Sequence, residues 1–549
     1  MHTRWLFGVA AAALMVFGAG HSHAQVLAGQ VLAGQVTSAE EGAMEGVVVS
    51  AKKQGSNITV SVVTNAQGRF TFPAARLDAG EYKISARANG YDLEGPNAAT
   101  IATGQGTVDL KMRKARNLAR QLTNAEWMAS APGTDDDKAN FLNCISCHTL
   151  ERVFKSTYNA DELVNVISRM NGYAQVSQPI KPQRRVDQAR AGNPERFRKA
   201  AEYISSVNLS SSQDWQFELK TMPRVKGRGT NVVITEYDLP RPTIEPHDVV
   251  IKDSTVWYTN FGEQFLGRLD PKTGQHTEYP VPTLKAGFPN GSLDLGIDKE
   301  GKLWLGMMYQ ASIAKFDPET EKFRLWQLPA ERNKDNSQLN MVTMSHHVDG
   351  KVWINDAGVS TLFRLDLASE KWEELDPLSI LPGGRTNYSI YDVRADSQNN
   401  VYVTDFQRNY LVKVDAKTLK FTAYQTGTPF SRNRRGRLDE QDRFWFAQYR
   451  GNKVTMFDTK YEKVQEYPVP TKHTHPYDVV TDKNGDAWTG GMSTDRVVRL
   501  DPKSGQAVEY PLPRNTNMRR MFVDNSTNPP TFWVGSNHGA SIVKVEPLD

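Results

Sequence analysis

The sequence predicts a multi-domain, mainly β protein: a small β-sandwich, then an α-helical domain, then a seven-bladed β-propeller closed by its own N-terminal strand. Three observations support this fold class. Runs of β-branched and aromatic residues, separated by turn residues, fill the first part of the chain. Helix-start signals surround a Cys-Ile-Ser-Cys-His pentapeptide in the middle part. A strand pattern with a period in the forties then recurs up to the C-terminus, which is typical of propeller blades.

Length and composition place the chain among globular proteins. It has 549 residues, which is enough for several domains, with 39% hydrophobic and 23% charged residues. These proportions exclude a disordered or fibrous protein. The net charge is only +4, and an exported protein of such modest charge is not expected to bind nucleic acid.

Residues 1–24 have the pattern of a secretory signal peptide. Arg4 lies in a short basic start, an apolar run extends from Trp5 to Ala19, and Ser22-His23-Ala24 places small residues at the cleavage positions. The apolar run is too short to span a membrane, and no other stretch approaches about 18 consecutive apolar residues. We therefore expect a periplasmic protein without a transmembrane segment.

Residues 26–112 carry the pattern of a small antiparallel sandwich. Strand-forming runs such as Ile58–Val63 alternate with turn signals such as Asn65-Ala66-Gln67-Gly68. The sequence Thr64-Asn65-x-x-Gly68-Arg69-Phe70-x-Phe72, followed by Gly80-Glu81-Tyr82, resembles the carboxypeptidase regulatory-like domain. That resemblance implies a prealbumin-like β-sandwich. It implies no chemistry, so we expect a spacer or a binding module here.

The pentapeptide Cys144-Ile145-Ser146-Cys147-His148 contains both cysteines of the chain. A C-x-x-C-H run is the covalent attachment signature of haem c, in which two thiols hold the haem and the histidine becomes an iron ligand. A zinc site would need further Cys or His residues at ligand spacing. A thioredoxin-like dithiol would not explain the histidine. We therefore expect covalent haem c on Cys144 and Cys147, with His148 as an iron ligand.

Residues 113–228 are predicted to form a helical domain around this motif. Thr123-Asn124-Ala125-Glu126 is a capping box, and Asn193-Pro194 pairs an N-cap with proline at the first helical position. The closing Ala-Glu-Tyr-Ile helix resembles the last helix of class I cytochromes c. That resemblance implies a cytochrome c-like haem domain for electron transfer. Its 19 Lys and Arg against 12 Asp and Glu could steer an acidic periplasmic redox partner.

The second axial ligand of the iron has two candidates. Class I cytochromes take a methionine from the loop before the final helix, and Met170 lies in that segment, 22 residues after His148. Met170 also continues the apolar face of a predicted helix, so it could instead belong to the core. We predict Met170 as the ligand, with Met222 or no second ligand as the alternatives.

Residues 232–549 form a repeat array. A strand that ends in a Pro-containing turn, such as Ile234–Pro240, recurs with start-to-start spacings of 42, 47, 49, 49, 43 and 43. Each period carries one aromatic mark on a second strand: Trp257, Trp304, Trp353, Tyr402, Trp445, Trp488 and Trp533. Seven marks predict seven blades. Because the last period lacks its final strand, we expect the N-terminal strand around 232–239 to complete the last blade.

These repeats resemble the virginiamycin B lyase (streptogramin lyase) family, whose blades read W-F-T-E, G-R-I-D-P and T-E-Y-P-L-P. The resemblance implies a propeller over 232–549. For activity it implies a metal-assisted carbon–oxygen lyase, with histidines and a glutamate near bound magnesium. No blade keeps the glutamate, because the third position after each mark is Asn260, Met307, Asp356, Asp405, Gln448, Gly491 and Ser536. The activity is therefore implied less strongly than the fold.

Three histidines near channel-side strand starts are candidates for catalysis: His247, His473 and His475. A single histidine in a propeller is more often a structural hydrogen-bonding residue. The pair His473 and His475, together with Asp356 and Asp405 from other blades, could hold Mg²⁺, Ca²⁺ or a substrate if the four side chains converge.

A run of basic residues, Arg432-Asn433-Arg434-Arg435-Gly436-Arg437, has four cations in six positions. Arginine suits carboxylate and phosphate groups. The run therefore predicts either an anion-binding lip at the channel or a solvated loop.

Three functions follow from these features. The first is periplasmic electron transfer by a c-type cytochrome whose propeller binds a small-molecule or polymer ligand, or a partner. The second is a streptogramin lyase-like enzyme working in the propeller. The third is a non-catalytic binding or scaffold protein in which the haem is an electron port. The haem motif carries the strongest chemistry in the sequence, so the first is preferred.

Overall fold

The computed structural model describes residues 31–101, 105–186, 193–343 and 346–549. The predicted signal peptide, residues 1–24, lies outside the described residues. The chain folds into a β-sandwich, a helical segment and a propeller. Within the described ranges, no helix is long and apolar enough to cross a membrane.

The N-terminal part is a sandwich of two sheets. Its strands are β1 (Val31–Ser38), β2 (Gly42–Ala43), β3 (Val48–Lys53), β4 (Ile58–Val63), β5 (Arg69–Thr71), β6 (Gly80–Arg87), β7 (Tyr91–Gly95), β8 (Ala98–Ile101), β9 (Gln105–Thr107) and β10 (Leu110–Lys114). One sheet has the order β2-β1-β10-β7, with β5 and β9 also pairing with β1, and the other contains β4-β3-β6-β8. Val49, Phe70, Ile84 and Leu110 belong to the core of this sandwich.

The described residues between 124 and 207 (124–186 and 193–207) contain six helices. They are α1 (Asn124–Ser130), α2 (Asp135–Lys138), α3 (Phe141–Cys144), α4 (Glu151–Phe154), α5 (Ala160–Asn171) and α6 (Pro194–Val207). The predicted helix starts are present. Thr123 forms a capping box with Glu126 at α1, and the side chain of Asn193 caps α6 ahead of Pro194.

The prediction of an α-helical cytochrome c domain is nevertheless wrong. Three of the six helices are only four residues long, and residues 209–226 follow them without helix or strand. The segment also has no separate core, because Trp127, Phe141 and Ile145 share one apolar cluster with Tyr449 and Tyr477 of the propeller. Local capping signals determine where a helix starts, but neither its length nor what it packs against.

The classification as a cytochrome c for electron transfer is overturned on the same ground. The structure is mainly β, and its helices form a short segment on a propeller rather than a helical domain. No group of three or more His, Cys, Asp or Glu side chains that could hold a metal ion occurs in the part of the chain that the structure describes. The periplasmic redox partner was expected only because of this classification, so the structure gives no separate reason to expect one.

The propeller begins with β11 (Val232–Asp238), and its sheets follow in chain order. The first three blades are β12 (Pro246–Lys252), β13 (Thr255–Asn260), β14 (Phe265–Leu269) and β15 (His276–Pro280); β16 (Leu293–Ile297), β17 (Leu303–Gly306), β18 (Ser312–Asp317) and β19 (Lys322–Gln327); β20 (Leu339–Val342), β21 (Lys351–Asp356), β22 (Thr361–Asp366) and β23 (Trp372–Leu375). The short helix α7 (His346–Asp349) lies between β20 and β21.

The remaining four blades have the same antiparallel order. They are β24 (Ile390–Ala395), β25 (Val401–Asp405), β26 (Tyr410–Val414) and β27 (Phe421–Gln425); β28 (Asn433–Leu438), β29 (Arg443–Gln448), β30 (Lys453–Asp458) and β31 (Lys463–Pro468); β32 (Pro476–Thr481), β33 (Ala487–Gly491), β34 (Arg496–Leu500) and β35 (Ala507–Pro511); β36 (Met518–Asp524), β37 (Thr531–Ser536), β38 (Ser541–Pro547) and β11. The first strand of each blade contacts the first strands of its neighbours, and β12 contacts β36, so these seven strands form a closed ring.

The sandwich and the propeller share one sheet. β11 pairs with β38 on one side and with β4 on the other, antiparallel in both cases. Val233 packs into the sandwich core, whereas Ile234 packs into the propeller core, because successive side chains of a strand point to opposite faces. The outer edge of the seventh blade is therefore covered by a partner strand instead of being exposed.

Candidate functional site

Every innermost strand of the propeller has a register irregularity near its start. In β24, for example, the pairing with β25 shifts between Ile390 and Val393. A bulge re-aims the side chains at the shifted position. As a result two consecutive residues, Tyr391 and Asp392, both make contacts at the propeller axis, at two different depths.

The deeper layer, which we call the throat, is a network of paired charges. It contains four carboxylates and three arginines: Asp248, Asp294, Asp392, Asp478, Arg394, Arg437 and Arg520. Arg520 is fully buried. Its guanidinium nitrogens lie 3.1 Å from Asp478, 3.6 Å from Asp248 and Asp392, and 4.0 Å from Asp294.

Asp392 of the throat is held in its charged form. Burial raises the pKa of Asp392, but the guanidinium groups of Arg394 and Arg520 outweigh it, so that the pKa lies below its ordinary value. Each charge in this layer is therefore buried together with an opposite charge.

The shallower layer, which we call the mouth, combines cations with aromatic rings. It consists of His247, Phe406, Tyr391, Arg434, Tyr449, Tyr477 and Arg519. The guanidinium carbon of Arg434 lies 4.1 Å from the ring centres of both Tyr449 and Tyr477. Arg434 also donates a hydrogen bond of 2.9 Å from Nε to the hydroxyl of Tyr391.

The mouth cations differ from those of the throat. Arg434 is 5% exposed and Arg519 is 3% exposed. Within the described ranges, neither has a carboxylate within ion-pair distance, and the Nε of Arg519 makes no hydrogen bond. A buried guanidinium without a counter-ion is costly, and contacts with aromatic rings offset only part of that cost. The mouth is therefore a region of buried positive charge that an anion would stabilise.

The helical segment covers the mouth. The amide of Asn517 donates a 3.0 Å hydrogen bond to the carbonyl of Ile145, and Arg519 donates one of 2.8 Å to the carbonyl of Ser146. On the other side, the hydroxyl of Tyr449 lies 3.3 Å from the carbonyl of Leu142. The predicted haem-attachment pentapeptide thus lies directly on the mouth.

The two cysteines and the histidine of the pentapeptide are partly buried. Cys144 and Cys147 are free thiols on one turn of backbone, with a 3.3 Å hydrogen bond from the amide of Cys147 to the carbonyl of Cys144. The Nδ1 of His148 lies 3.0 Å from the carbonyl of Thr149. Burial lowers the pKa of His148 and keeps the ring neutral. Nδ1–H therefore donates to that carbonyl, and Nε2 is the nitrogen that carries the lone pair.

The two methionine candidates lie in different places. Met170 is near the C-terminal end of α5, with 43% of its side chain exposed. Met222 lies in the extended stretch after α6, and its amide donates a 2.8 Å hydrogen bond to Glu126. Neither position tests the choice of ligand, which stays a prediction.

The three predicted histidines have different surroundings. His247 lies in the mouth, 3.0 Å from the hydroxyl of Tyr477. His475 lies beside it, with its ring 5.4 Å from that of Tyr449 and its Nδ1 3.1 Å from the hydroxyl of Ser493. His473 is 5.9 Å from His475, ring to ring. Burial lowers the pKa of His247 and His475 to about 3, so both rings are neutral.

Asp356 and Asp405 serve as turn caps. One oxygen of Asp356 accepts hydrogen bonds from the amides of Gln338 and Gly358. The two carboxylate oxygens of Asp405 together accept hydrogen bonds from the amides of Ser389, Gln407 and Arg408. The third position after the aromatic mark therefore caps loops in these blades.

Of the mouth residues, Arg434 stands out in the sequence as a candidate, whereas Tyr391, Tyr477 and Arg519 were not predicted. A usable signal was present for two of them. Pro246-His247-Asp248-Val249-Val250 and Pro476-Tyr477-Asp478-Val479-Val480 are near-identical, and Ile390-Tyr391-Asp392-Val393 is a third copy. In each copy a His or Tyr residue lies in the mouth, and the Asp that follows it lies in the throat.

Two family sequence models match the chain. The carboxypeptidase regulatory-like domain matches residues 31–113, and the virginiamycin B lyase family matches residues 382–548. The first match covers the sandwich, and the second covers the C-terminal part of the propeller. No curated protein sequence matches it.

Several solved structures are similar to the propeller. Virginiamycin B lyase from Staphylococcus aureus is 20% identical over 57% of this chain and 98% of the enzyme, with a TM-score of 0.49. A catalytically inactive variant of that enzyme with quinupristin gives 19% identity over 57% and 98%, and a TM-score of 0.49. The extracellular domain of a putative one-component system from B. thetaiotaomicron is 15% identical over 55% of this chain and 40% of its own, with a TM-score of 0.43. The propeller assignment itself rests on the seven sheets of this chain.

Proposed function

We propose that the protein binds a small carboxylate ligand at the mouth of its propeller. The observation that carries this proposal is the pair of buried arginines, Arg434 and Arg519, which have no carboxylate partner within ion-pair distance among the described residues. Arginine presents a planar array of donors that fits a carboxylate. The rings of Phe406, Tyr449 and Tyr477 offer apolar walls for the rest of the ligand.

Benzoate is a suitable probe, because it combines a carboxylate with an apolar ring. Calorimetric titration of the full chain with benzoate is expected to show binding, and Arg434→Gln is expected to weaken it at least about tenfold, since a hydrogen bond to a charged group is lost. Arg324→Gln is the matched control. Arg324 also lies over an aromatic ring, Trp326, but on the exposed outside of the second blade, where it pairs with Glu370.

Two outcomes of the benzoate titration would contradict this function. One is the absence of benzoate binding to the wild-type chain. The other is equal binding by wild type and Arg434→Gln, which would place the ligand elsewhere. Inorganic phosphate is titrated in parallel, and tighter binding of phosphate than of benzoate would contradict the carboxylate as ligand class.

A lyase-like activity in the propeller is a second candidate. It is favoured by the match of residues 382–548 to the virginiamycin B lyase family and by the position of His475 beside the mouth. The test is linearisation of a cyclic depsipeptide in the presence of magnesium. Turnover that is lost in His475→Ala and kept in His276→Ala, whose ring contacts Tyr258 outside the mouth, would support it. Absence of turnover would exclude it.

Covalent haem on Cys144 and Cys147 is a separate proposal, supported by the pentapeptide and by the tautomer of His148. Bound haem would supply an iron centre beside the mouth. Export to the periplasm is proposed together with it. Wild-type chain produced with haem-maturation machinery is expected to carry the mass of one haem, which Cys144→Ala with Cys147→Ala would lose. A wild-type chain with the unmodified mass would contradict the proposal.

A further inference from the structure

Four side chains from three blades form a connected line from the mouth to the throat. The hydroxyl of Tyr391 lies 3.4 Å from that of Tyr477, and the hydroxyl of Tyr477 lies 3.0 Å from Nε2 of His247. Nδ1 of the same ring bonds to Oδ2 of Asp248. Nothing in the binding of a ligand by Arg434 requires this line.

The protons along the line have one direction. Asp248 is ionised, because the neighbouring His247 and Arg520 outweigh burial and hold its pKa below the ordinary value. The neutral ring of His247 therefore donates from Nδ1 to that carboxylate and accepts at Nε2. The hydroxyl of Tyr477 donates to Nε2, which leaves its oxygen to accept from Tyr391. Each group in the line therefore donates its proton toward Asp248, and Tyr391 is the outermost donor.

Tyr391 is the member of the line that a ligand can reach. Its side chain is partly exposed, whereas Tyr477 is 1% exposed and His247 is fully buried. Its ring stacks on Phe406, with ring centres 4.4 Å apart. Its hydroxyl accepts the 2.9 Å hydrogen bond from Arg434, the same guanidinium that we assign to the ligand carboxylate.

The groups that face Tyr391 are mainly cationic. Arg434 and Arg435 approach it from β28, and the guanidinium of Arg435 is 5.0 Å from its ring. Arg519 acts from β36, and Tyr477 lies opposite on β32. Burial raises the pKa of the Tyr391 hydroxyl, but the arginines outweigh it and bring the pKa to about 7. The pKa of Tyr477, in contrast, is raised to about 12, chiefly by burial.

We propose that Tyr391 is the acid–base residue of the mouth, acting on a bound carboxylate that carries a proton on the carbon next to a carbonyl group. This inference rests on the proposed binding function. The phenolate oxygen of Tyr391 forms an O–H bond with that proton. The electron pair of the broken C–H bond stays on the ligand as an enolate, whose charge the guanidinium of Arg434 stabilises. Return of a proton from Tyr391 completes a reversible exchange that needs no oxidant or reductant.

Titration of the phenol is the first test. The ultraviolet absorbance of a tyrosine changes when it ionises, and the phenol of an unperturbed tyrosine ionises near pH 10. One tyrosine of the wild-type chain should ionise near neutral pH, and Tyr391→Phe should remove that step. Tyr388→Phe is the control, because burial raises the pKa of this neighbouring residue. A near-neutral step that persists in Tyr391→Phe, or its absence in the wild type, would overturn the proposal.

Proton exchange is the second test, with phenylpyruvate as the probe. Its carboxylate and ring suit the mouth, and its methylene protons lie next to a carbonyl group. In deuterated buffer, nuclear magnetic resonance should show that wild-type chain exchanges these protons at least about a hundredfold faster than Tyr391→Phe, the usual size of a general-base effect. Equal rates for the two chains would overturn the proposal.

The two proposals fail in distinguishable ways. If benzoate binds through Arg434 but exchange does not depend on Tyr391, binding stands and the acid–base role is wrong. If benzoate does not bind, the proposed function fails by that assay alone. Circular dichroism of Tyr391→Phe confirms that the variant is folded before rates are compared.

Discussion

The throat and the mouth are adjacent layers of the same seven strands, yet they treat buried charge in opposite ways. In the throat, Arg520 is within 4.0 Å of four aspartates. In the mouth, one position along the chain, Arg519 forms no ion pair with the described residues and instead donates to the carbonyl of Ser146 and lies over two aromatic rings. A network whose charges cancel stabilises a fold. A layer whose charges do not cancel costs stability, and the carboxylate of the proposed ligand would offset that cost.

The largest effect that this comparison predicts is in the throat. Arg520→Met removes the cation that four carboxylates share, and leaving a buried charge unpaired costs about 3–5 kcal/mol. We expect a loss of that size in the free energy of unfolding, measured by urea denaturation. The exposed Arg324→Met should change it by less than about 1 kcal/mol. A loss for Arg520→Met as small as that of the control would show that the throat is not a stabilising network.

A carboxyl group beside the mouth, Glu245, is expected to make the stability of the fold depend on pH. Glu245 is 2% exposed, and burial raises its pKa from 4.5 to about 7. Because the folded chain holds this proton more tightly than the unfolded chain, the stabilisation is complete below pH 4.5 and is lost as the pH rises to about 7. At about 1.4 kcal/mol per pKa unit, the loss is about 3 kcal/mol.

The measurement is the difference in free energy of unfolding between wild type and Glu245→Gln as a function of pH. The difference should fall through that window. It should stay flat for Glu195→Gln, whose side chain is 75% exposed. A flat difference for Glu245→Gln would mean that this carboxyl is paired, like those of the throat.

Much of the fold could be predicted from local sequence signals. The Thr123 and Asn193 caps are present, and the aromatic marks are buried in their blades. Five of the seven marks contact an aromatic ring of the repeat strand. For example, Trp304 stacks on Trp326 with ring centres 5.3 Å apart, and Trp488 packs on Tyr510 at 6.1 Å. Signals of this kind depend on residues close together in the chain or repeated in every blade.

The sharing of β11 between sandwich and propeller could not be predicted in the same way. Pairing of Ile234 with Ser61 joins residues far apart in sequence, and no local pattern specifies such a partner. The mouth was missed for the same reason. Tyr391, Tyr477 and Arg519 come from three blades and meet only because strand bulges turn them to one axis. The helical segment was misjudged because its apolar residues find their partners on the propeller.

A smaller effect is expected where the helical segment covers the mouth. Asn517→Ala removes the 3.0 Å hydrogen bond to the carbonyl of Ile145, which should cost about 1 kcal/mol. Because the bond joins the segment to the propeller, amide hydrogen exchange should become faster in residues 141–148 than in the blades. Asn165→Ala, on the exposed face of α5, should leave exchange there unchanged. Uniform acceleration over the whole chain would mean that the bond supports the propeller rather than the cover.

The smallest effect on stability should come from the mouth cation itself. Arg434→Met replaces a buried, uncompensated guanidinium with an apolar side chain of similar length, and such a replacement is often neutral or stabilising. We expect the free energy of unfolding by urea to remain within about 1 kcal/mol of the wild-type value, while benzoate binding is lost. A loss as large as that of Arg520→Met would mean that the charge of Arg434 is compensated inside the protein, as the charges of the throat arginines are. The layers would then differ in depth only, and the argument for an anion at the mouth would fail.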